Sequence, residues 1–303
     1  MLLSVIIPTH HPRPGPLGRV LDALAAQTLP ADQWELVLVD NASSPPVPEA
    51  TARRGHAAGR VVREERTGLT AARLAGFAAT TGDLIVLVDD DNVLFPDYLA
   101  TARRLAEAQP RLGAWSGRID LEFAVGATPP PARLWGYLAH RQPPAAACSD
   151  HVDDHGSTPW GAGLCLRRAV AEAYREVVRA DTSRIALDLQ GTRLIYGGDT
   201  DLAYTACDRG FLKGVFPELR LRHLIPAERY TPDYFRRAIE GHGYSEQLHR
   251  LIRHGHMENP RRPLRRWLGD WWQAWRAGPA ARLELRARHR GLARAWRELS
   301  RAP

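Results

Sequence analysis

The sequence has few cysteines and no long hydrophobic run. Its three cysteines, Cys148, Cys165 and Cys207, are widely spaced and form no CxxC pattern, which argues against a zinc or dithiol site and favours incidental thiols. No stretch reaches about 18 uninterrupted apolar residues, so we expect no transmembrane helix. The start, MLLSVIIPTHH, lacks the basic residues and cleavage site of a signal peptide. We interpret it as a core strand of a cytoplasmic protein.

Lysine is nearly absent, since Lys213 is the single lysine among 41 basic residues. Hydrophobic residues make up 44% and charged residues 25% of the 303-residue chain, which excludes a disordered chain and a collagen-like repeat. The net charge of +7 belongs to the C-terminus. From His254 onward there are 12 arginines and 4 acidic residues, and the rest of the chain has a net charge of −1. The basic character is therefore a property of the tail.

Short apolar runs alternate with helical patterns along the first hundred residues. Apolar runs at 2–7, 34–39 and 84–88 are separated by helical patterns at 17–27 and 69–79. This alternation predicts a parallel sheet with helices on both faces. Ligands of such sheets bind outside the carboxyl ends of the strands. The residues that follow the strands, and that we expect to converge on one crevice, are Pro8-Thr9-His10, Asp40-Asn41 and Asp89-Asp90-Asp91-Asn92.

The second part of the chain is less regular. Proline and glycine in 126–159 predict a long loop with a short helix around 134–140. One or two strands are predicted at 211–224, interrupted by Pro217, and a helix is predicted at 230–251 after the capping pair Thr231-Pro232. The remaining predictions are a strand at 160–167 and helices at 168–178 and 200–208.

Three adjacent aspartates follow the third apolar run, in the sequence LIVLVDDDN at 84–92. Carboxylates crowded at the end of a buried strand repel one another, and a divalent cation relieves that repulsion. Hard cations such as Mg²⁺ take oxygen ligands and are often held by one or two carboxylates together with substrate phosphates. The pattern predicts a metal and phosphate site, with a solvated acidic turn as the alternative.

Further candidate residues have both a functional and a structural interpretation. Asp40 fits either an acceptor of hydrogen bonds from a base or ribose, or a turn into 41–43. Asp199 and Asp201, in the sequence GGDTD, fit either a general base or a helix cap. His223, in the sequence RLRHLIP, fits either a structural histidine or a metal ligand. Taken alone, these residues leave the alternatives open.

The tail has a pattern of its own. Apolar residues recur at spacings of three and four among arginines, which predicts a basic, Trp-rich amphipathic helix, and a second helix is predicted at about 282–299. Such a helix either packs within the protein or an oligomer, or lies in the headgroup region of a membrane. Nucleic-acid binding is less favoured, because the helical spacing fits packing or an interface better than a stacking groove. The residues are Leu264, Trp267, Leu268, Trp271, Trp272 and Trp275, with Arg261, Arg262, Arg265, Arg266 and Arg276.

Taken together, six segments of 2–245 resemble a family-2 glycosyltransferase of the GT-A fold. The resemblance implies a Rossmann-like, mostly parallel α/β sheet with helices on both faces and a C-terminal helical extension. It implies an inverting, metal-dependent enzyme that moves a sugar from a nucleotide-diphosphate sugar, with a UDP-sugar favoured, to an acceptor hydroxyl. The segments, in order, are SVIIPTHH, LVLVDNAS, GLTAARLAGFAATTGDLIVLVDDDN, WGAGLCLRR, GGDTDLAYTACDRG and RHLIPAERYTPDYF.

The resemblance also assigns roles to single residues. Asp199 matches the catalytic base, and Asp91, Asp89 and His223 match a site for Mn²⁺ or Mg²⁺. One departure is Gly198, which stands where the family has a glutamate that often helps to hold the acceptor; another is His10-His11 after the first strand. The nucleotide-sugar side would comprise Pro8, Thr9, Asp40, Glu65, Arg73, Asp89 and Asp90. The acceptor side would comprise Trp160, Gly161, Ala162 and Asp201.

We expect a catalytic domain at 1–253, with a nucleotide-binding half at 1–110 and an acceptor-binding half at 111–253, and a helical tail at 254–303. The expected acceptor is a glycan or a lipid-linked saccharide in bacterial glycan synthesis, with peripheral membrane contact through the tail and no nucleic-acid partner. The expected location is cytoplasmic, with the inner face of the membrane as a variant.

Two alternative classes remain at this point. A nucleotidyltransferase acting on sugar phosphates needs a Gly-rich basic loop after its first strand, and PTHHPRPGP has one glycine and one arginine. A non-catalytic protein that binds nucleotide sugars is favoured only by Gly198 and opposed by the presence of both Asp91 and Asp199. A non-catalytic nucleic-acid-binding protein would act through the basic tail.

Overall fold

The computed structural model describes residues 1–188, 194–259 and 264–300, including all side chains there except those of 264–268 and 279. The strands are β1 Leu3–Thr9, β2 Trp34–Asn41, β3 Arg60–Glu64, β4 Leu84–Leu87, β5 Asn92–Leu94, β6 Leu112–Phe123, β7 Ala147–Ser149, β8 Cys165–Arg167 and β9 Leu212–Ile225. The helices are α1 Pro14–Ala25, α2 Ala50–Arg53, α3 Leu69–Ala79, α4 Tyr98–Ala108, α5 Arg168–Ala180, α6 Gly198–Asp208, α7 Pro232–His254, α8 Leu264–Ala277 and α9 Pro279–Leu299.

The contacts divide the chain into two compact units. The first consists of Met1–Asp181 and Asp199–Pro226, and the second of Thr182–Gly198 and the chain from Ala227 onward. The predicted division into 1–253 and 254–303 stays a prediction.

The first unit is built on one sheet of order β3-β2-β1-β4-β8-β6-β9-β5, with β7 paired to β9. Strands β3, β2, β1 and β4 are parallel, and so are β6 and β9; the shorter pairings of β5, β7 and β8 are antiparallel. The predicted α/β fold, with a mostly parallel sheet and C-terminal helices, is confirmed.

Helices cover both faces of β1, and side-chain alternation along the strand explains how. Val5 and Ile7 share a buried cluster with the apolar face of α1, which includes Leu21. Ile6 points to the other face, where α3 approaches so closely that a Cβ on Gly76 would lie 2.4 Å from Cγ2 of Ile6. Glycine at position 76 therefore allows α3 to pack directly on the strand.

Strand β9 is continuous where the sequence suggested an interruption. It pairs with β6 along its length, and the register shifts after Phe216, so that Arg220 is the next residue to pair. The extra residues around Pro217 form a bulge, because proline cannot donate to the ladder. The same strand carries His223 opposite Asn92 of β5.

The second unit is helical. Its core contains Leu187, Ile195, Tyr244, Leu248 and Ala295. Helices α7 and α9 pack closely, and α8 packs on α9. In the described part of the chain, no helix combines the length and apolar character that crossing a membrane requires.

The structure has the two helices that were predicted for the tail, as α8 and α9. The predictions for Arg261 and Arg262 lie outside the described residues. The same holds for the side chains of Leu264, Arg265, Arg266, Trp267 and Leu268.

Candidate functional site

Hydrogen bonds join the end of β1 to the residues after β4 and to the end of β2, at the carboxyl edge of the sheet. The hydroxyl of Thr9 donates a hydrogen bond to Asp90. Nδ1 of His10 lies 2.5 Å from the carbonyl oxygen of Asn41. Because a carbonyl oxygen only accepts, this nitrogen carries the proton. The expected convergence of the strand ends is therefore present, and Thr9, which was predicted to bind the nucleotide sugar, lies against the aspartate cluster.

Asp40 is buried, and its carboxylate is bound by the loop that follows it and by Arg63 of β3. Its carboxylate accepts hydrogen bonds from the backbone N–H groups of Ser43 and Val47 at 3.1 and 3.0 Å, and from Arg63 at 2.6 Å. Burial alone would raise the pKa of Asp40, but these hydrogen bonds outweigh it and lower the pKa below its usual value. The turn that formed the alternative interpretation is thus present, and nucleotide binding by Asp40 stays a prediction.

The three aspartates after β4 lie at the centre of the site. Burial, followed by the charge of Asp91, raises the pKa of Asp89 to about 6, while the charges of Arg73 and His223 oppose the rise. Nδ2 of Asn92 donates to Asp89 at 2.8 Å. The ionised form of Asp89 is therefore disfavoured in the folded protein.

His223 is oriented toward Asp91. Its Nε2 lies 3.4 Å from Oδ2 of Asp91, and its Nδ1 lies 2.9 Å from the carbonyl oxygen of Leu138. Nδ1 must carry the proton in that contact, so Nε2 is the ring nitrogen that faces Asp91. Metal-binding histidines are commonly oriented in this way by a hydrogen bond from the other ring nitrogen.

Asp91 and His223 are two possible ligands of a divalent cation, but they do not form a complete coordination shell. Within the described ranges, no three His, Cys, Asp or Glu side chains form a group that could hold a metal. Asp91 and His223 supply an oxygen and a nitrogen, and the diphosphate of a bound donor would supply the further oxygens that Mg²⁺ requires.

On the acceptor side, the candidate base is held by a backbone group. The N–H of Gly161 donates to Oδ2 of Asp199 at 2.7 Å. A Cβ on Gly161 would lie 3.1 Å from that oxygen and 3.2 Å from a guanidinium nitrogen of Arg73. Asp199, Gly161 and Arg73 therefore meet at one point, and Arg73 also acts on Asp89, so the predicted nucleotide and acceptor residues share a single site.

Two cationic side chains, the half-buried Arg141 and the buried Lys213, bind the segment that leads to Trp160. Arg141 donates to the carbonyl oxygens of Gly156 and Thr158 at 2.8 and 2.5 Å, and its guanidinium lies 4.9 Å from the ring centroid of Trp160. The fully buried Lys213 donates to the carbonyl oxygen of Asp154 at 2.5 Å and to Oγ of Ser157 at 2.9 Å. Burial lowers the pKa of Arg141 to about 10, and it also lowers that of Lys213.

The sequence analysis did not single out either cation as a site residue. The one lysine of the chain, placed inside a predicted apolar strand, is the signal that could have pointed to Lys213. Arg141 resembles the other arginines of the chain and offers no such signal.

The remaining predicted residues are placed as follows. Pro8 is buried within β1, and Ala162 is buried beside Gly161. Glu65 is exposed and forms an ion pair with Arg63, which also binds Asp40. Asp201 is fully buried in the first turn of α6. These placements do not test the predicted binding roles, which stay predictions.

Gly198, where the resemblance implies a glutamate, has a carboxylate from another residue beside it. A Cβ on Gly198 would lie 2.4 to 2.5 Å from the carboxyl atoms of Asp188, which is buried. Asp188 was missed by the sequence analysis, because nothing in the local pattern relates it to a position ten residues later.

Comparison with known proteins identifies the family of the chain. The glycosyl transferase family 2 description matches residues 4–158, which is more than half of the chain. YwdF of Bacillus subtilis, described as an uncharacterized glycosyltransferase, is 27% identical over 140 residues, or 46% of this chain and 51% of that protein. The uncharacterized protein y4gI of Sinorhizobium fredii is 31% identical over 113 residues, or 36% of this chain and 12% of that protein.

The solved structures give the same fold. TarS of S. aureus matches with a TM-score of 0.51 and 16% identity over 79% of this chain and 38% of TarS. Its 1–349 fragment matches with a TM-score of 0.50 and 15% identity over 79% of this chain and 64% of the fragment. The chain thus spans less than two thirds of each of these proteins. With the family match covering more than half of its residues, the chain belongs to glycosyl transferase family 2.

Proposed function

We propose that this glycosyltransferase moves a sugar from a nucleotide-diphosphate sugar to an acceptor hydroxyl with inversion at the anomeric carbon. The observation that carries the proposal is the position of Asp199, held by the Gly161 N–H and next to Arg73, which in turn acts on Asp89. A carboxylate on the acceptor side and a cluster of carboxylates on the donor side are what a single displacement with a general base requires.

In the proposed reaction, Asp199 takes the proton of the acceptor hydroxyl. The oxygen forms a bond to the anomeric carbon as the bond between that carbon and the diphosphate oxygen breaks, and the nucleoside diphosphate leaves. Trp160, Gly161 and Ala162 line the acceptor side. Holding both reactants in line contributes to the rate, since well-oriented intramolecular reactions gain roughly 7–11 kcal/mol.

Asp91 and His223 would hold a divalent cation, Mn²⁺ or Mg²⁺, together with the donor diphosphate. When bound, the cation neutralises charge that develops on the departing diphosphate. Asp89 adds negative charge to the site, and Thr9 donates a hydrogen bond to Asp90 at its edge. Arg73 lies between the two halves of the site, where its positive charge faces both the donor and the base.

For the donor, a UDP-sugar is the proposed class, and for the acceptor a glycan or lipid-linked saccharide in bacterial glycan synthesis. A lipid-linked acceptor would bring this cytoplasmic enzyme to the inner face of the membrane. Family membership favours glycosyl transfer over the nucleotidyltransferase and non-catalytic alternatives.

A thermal-shift panel with UDP, GDP, dTDP and CDP, each with and without Mn²⁺, tests the donor and metal assignments. A ligand at about 100 times its Kd stabilises the folded state by roughly 2.7 kcal/mol. We expect stabilisation by UDP only when Mn²⁺ is present. That effect should disappear in Asp91→Ala and His223→Ala and persist in Asp32→Ala, which removes an exposed carboxylate. Metal-dependent binding that survives in Asp91→Ala would place the cation elsewhere.

A further inference from the structure

The hairpin of α8 and α9 has one covered face and one uncovered face. Helix α9 packs closely on α7. At Gly291 the two backbones are so close that a Cβ would lie 2.0 Å from the carbonyl oxygen of Glu240. Among the described side chains of α8, only Ala274 is buried. Trp272 and Trp275, one helical turn apart, are 58% and 64% exposed. Among the residues that the structure describes, nothing covers most of the surface of Trp272 and Trp275.

These tryptophans form a continuous apolar surface. Gly269, Trp271, Trp272 and Trp275 line a shallow, open hollow with almost no polar atoms. In the described part of the chain, large exposed hydrophobic side chains are few. Two of them are these tryptophans, and a third, Leu283, lies in the adjoining helix α9. Burying such a surface is favourable, and exposed patches of this kind mark interaction sites.

Arginines border this aromatic surface. The guanidinium of Arg276 lies 4.7 Å from the ring centroid of Trp272, and that of Arg286 lies 5.2 Å from the ring of Trp271. Both arginines are exposed. They belong to a tail with 12 arginines and 4 acidic residues, in a chain whose remainder has a net charge of −1. The partner of this surface must therefore offer apolar contact and negative charge together.

An anionic lipid bilayer meets both requirements. Tryptophan rings prefer the headgroup level of a bilayer, and arginines near the surface are attracted to anionic lipids. A second copy of this chain would bring the same arginines to the same face and be repelled. A nucleic acid would satisfy the arginines, but it would leave uncovered the apolar hollow between the tryptophans.

We propose that Trp271, Trp272 and Trp275, with Arg276 and Arg286 at their border, form a membrane-contact surface that binds anionic bilayers. The proposal concerns a surface outside the transferase site and does not depend on the donor or the acceptor of the reaction. It specifies a peripheral contact, in which α8 lies in the plane of the headgroups without crossing the bilayer.

Vesicle flotation of the full chain tests the proposal. We expect binding to vesicles of equal parts phosphatidylcholine and phosphatidylglycerol at least tenfold stronger than to pure phosphatidylcholine, with tryptophan emission shifted to shorter wavelength. The double variant Trp272→Ala/Trp275→Ala should lose the binding and the shift. Because both side chains are exposed, its melting temperature should stay within a few degrees of the wild type. Val125→Ala, at another exposed apolar site, is the matched control.

The charge contribution is tested separately. Arg276→Gln/Arg286→Gln should weaken binding to the anionic vesicles several-fold, whereas Arg53→Gln/Arg104→Gln, which removes two exposed arginines elsewhere, should not.

Flotation of the tryptophan double variant at the wild-type level, or wild-type protein that stays in the lipid-free fraction, would overturn the proposal. A dimer in sedimentation that only the tryptophan double variant abolishes, without vesicle binding, would assign the surface to self-association. Oligonucleotide binding without vesicle binding would assign it to nucleic acid.

Discussion

The N–H of Gly161 donates to Oδ2 of Asp199 at 2.7 Å, across 38 positions of sequence. This hydrogen bond fixes one carboxylate oxygen, and the N–H of Thr200 binds the other at 2.9 Å. Both donors are backbone groups, so the course of the main chain orients the carboxylate.

Asp199→Asn is expected to preserve the fold and the nucleotide site while transfer is lost. An amide oxygen can still accept from Gly161, but an amide cannot take the acceptor's proton, and general bases typically contribute about 10²–10⁴-fold. The measurement is release of nucleoside diphosphate from the donor selected by the thermal-shift panel. Asp208→Asn, at the other end of α6, is the control. Transfer at close to the wild-type rate in Asp199→Asn would mean that another residue is the base.

Gly198→Ala is expected to destabilise the protein, because its Cβ would lie 2.4 Å from the carboxylate of Asp188. Overpacking of this kind costs about 1–3 kcal/mol. Asp188→Gly removes the obstructing group, so the double variant Asp188→Gly/Gly198→Ala should recover part of that loss. The measurement is a double-mutant cycle in urea unfolding, and additive effects of the two changes would contradict the contact.

Asp89→Asn is expected to raise stability in metal-free buffer above pH 6. Burial and the charge of Asp91 raise the pKa of Asp89 to about 6, so the folded state disfavours the ionised form. The penalty develops as the pH rises from the ordinary aspartate pKa toward 6 and is fully present above it. The variant should therefore be more stable than the wild type by about 1–2 kcal/mol at pH 7.5, and the two should converge near pH 4.

Thermal or urea unfolding across this pH range, in the presence of a chelator, checks the prediction for Asp89. Adding Mn²⁺ should stabilise the wild type more than Asp89→Asn, because the cation offsets the same repulsion. Asp32→Asn is the control for removal of an exposed carboxylate. A variant that is less stable than the wild type at pH 7.5 would contradict the argument.

Arg141→Met is expected to cost about 1–3 kcal/mol, because the carbonyl oxygen of the buried Thr158 loses its donor and a buried carbonyl without a partner costs about that much. The loss of the guanidinium over Trp160 should also lower transfer while leaving nucleotide binding unchanged. Lys213→Met is the matched comparison, because it removes the hydrogen bonds to Asp154 and Ser157 at the other end of the same segment. Equal nucleotide binding with reduced transfer is the result that separates acceptor positioning from a general loss of structure.

The sequence predicted the first half of the fold closely, because β1, α1, β2, α3 and β4 show their hydrophobic periods clearly. For α3 the predicted range, 69–79, coincides with the observed helix. Strand β6 was missed: six of its first seven residues are buried, but Gly117 and the charged residues after it break the apolar run. The predicted strand at 160–167 is reduced to Cys165–Arg167, because the preceding residues form the turn that carries Gly161 to Asp199.

The candidate site was predictable where its residues follow strands, as at Thr9, Asp89 and Asp91. His223 was identified by its place in a motif, but the hydrogen bond to Leu138 that orients its ring depends on a contact 85 positions away in the chain. Arg141, Lys213 and Asp188 also act through contacts with other segments of the chain. The local sequence of a segment does not indicate which other segment it will contact.

The sheet order has a consequence for biosynthesis. Strand β9 lies between β6 and β5, so β5, which follows Asp91, has its antiparallel partner only when the chain has been made past residue 225. A nascent chain that ends with the family-matched segment 4–158 would lack Asp199, His223 and β9, and it would expose the open edge of β6. Open strand edges invite pairing with other chains. We therefore expect the ribosome-bound intermediate to be prone to aggregation, and the site to be completed late in synthesis, when Asp199 and His223 join the residues that follow β1 and β4.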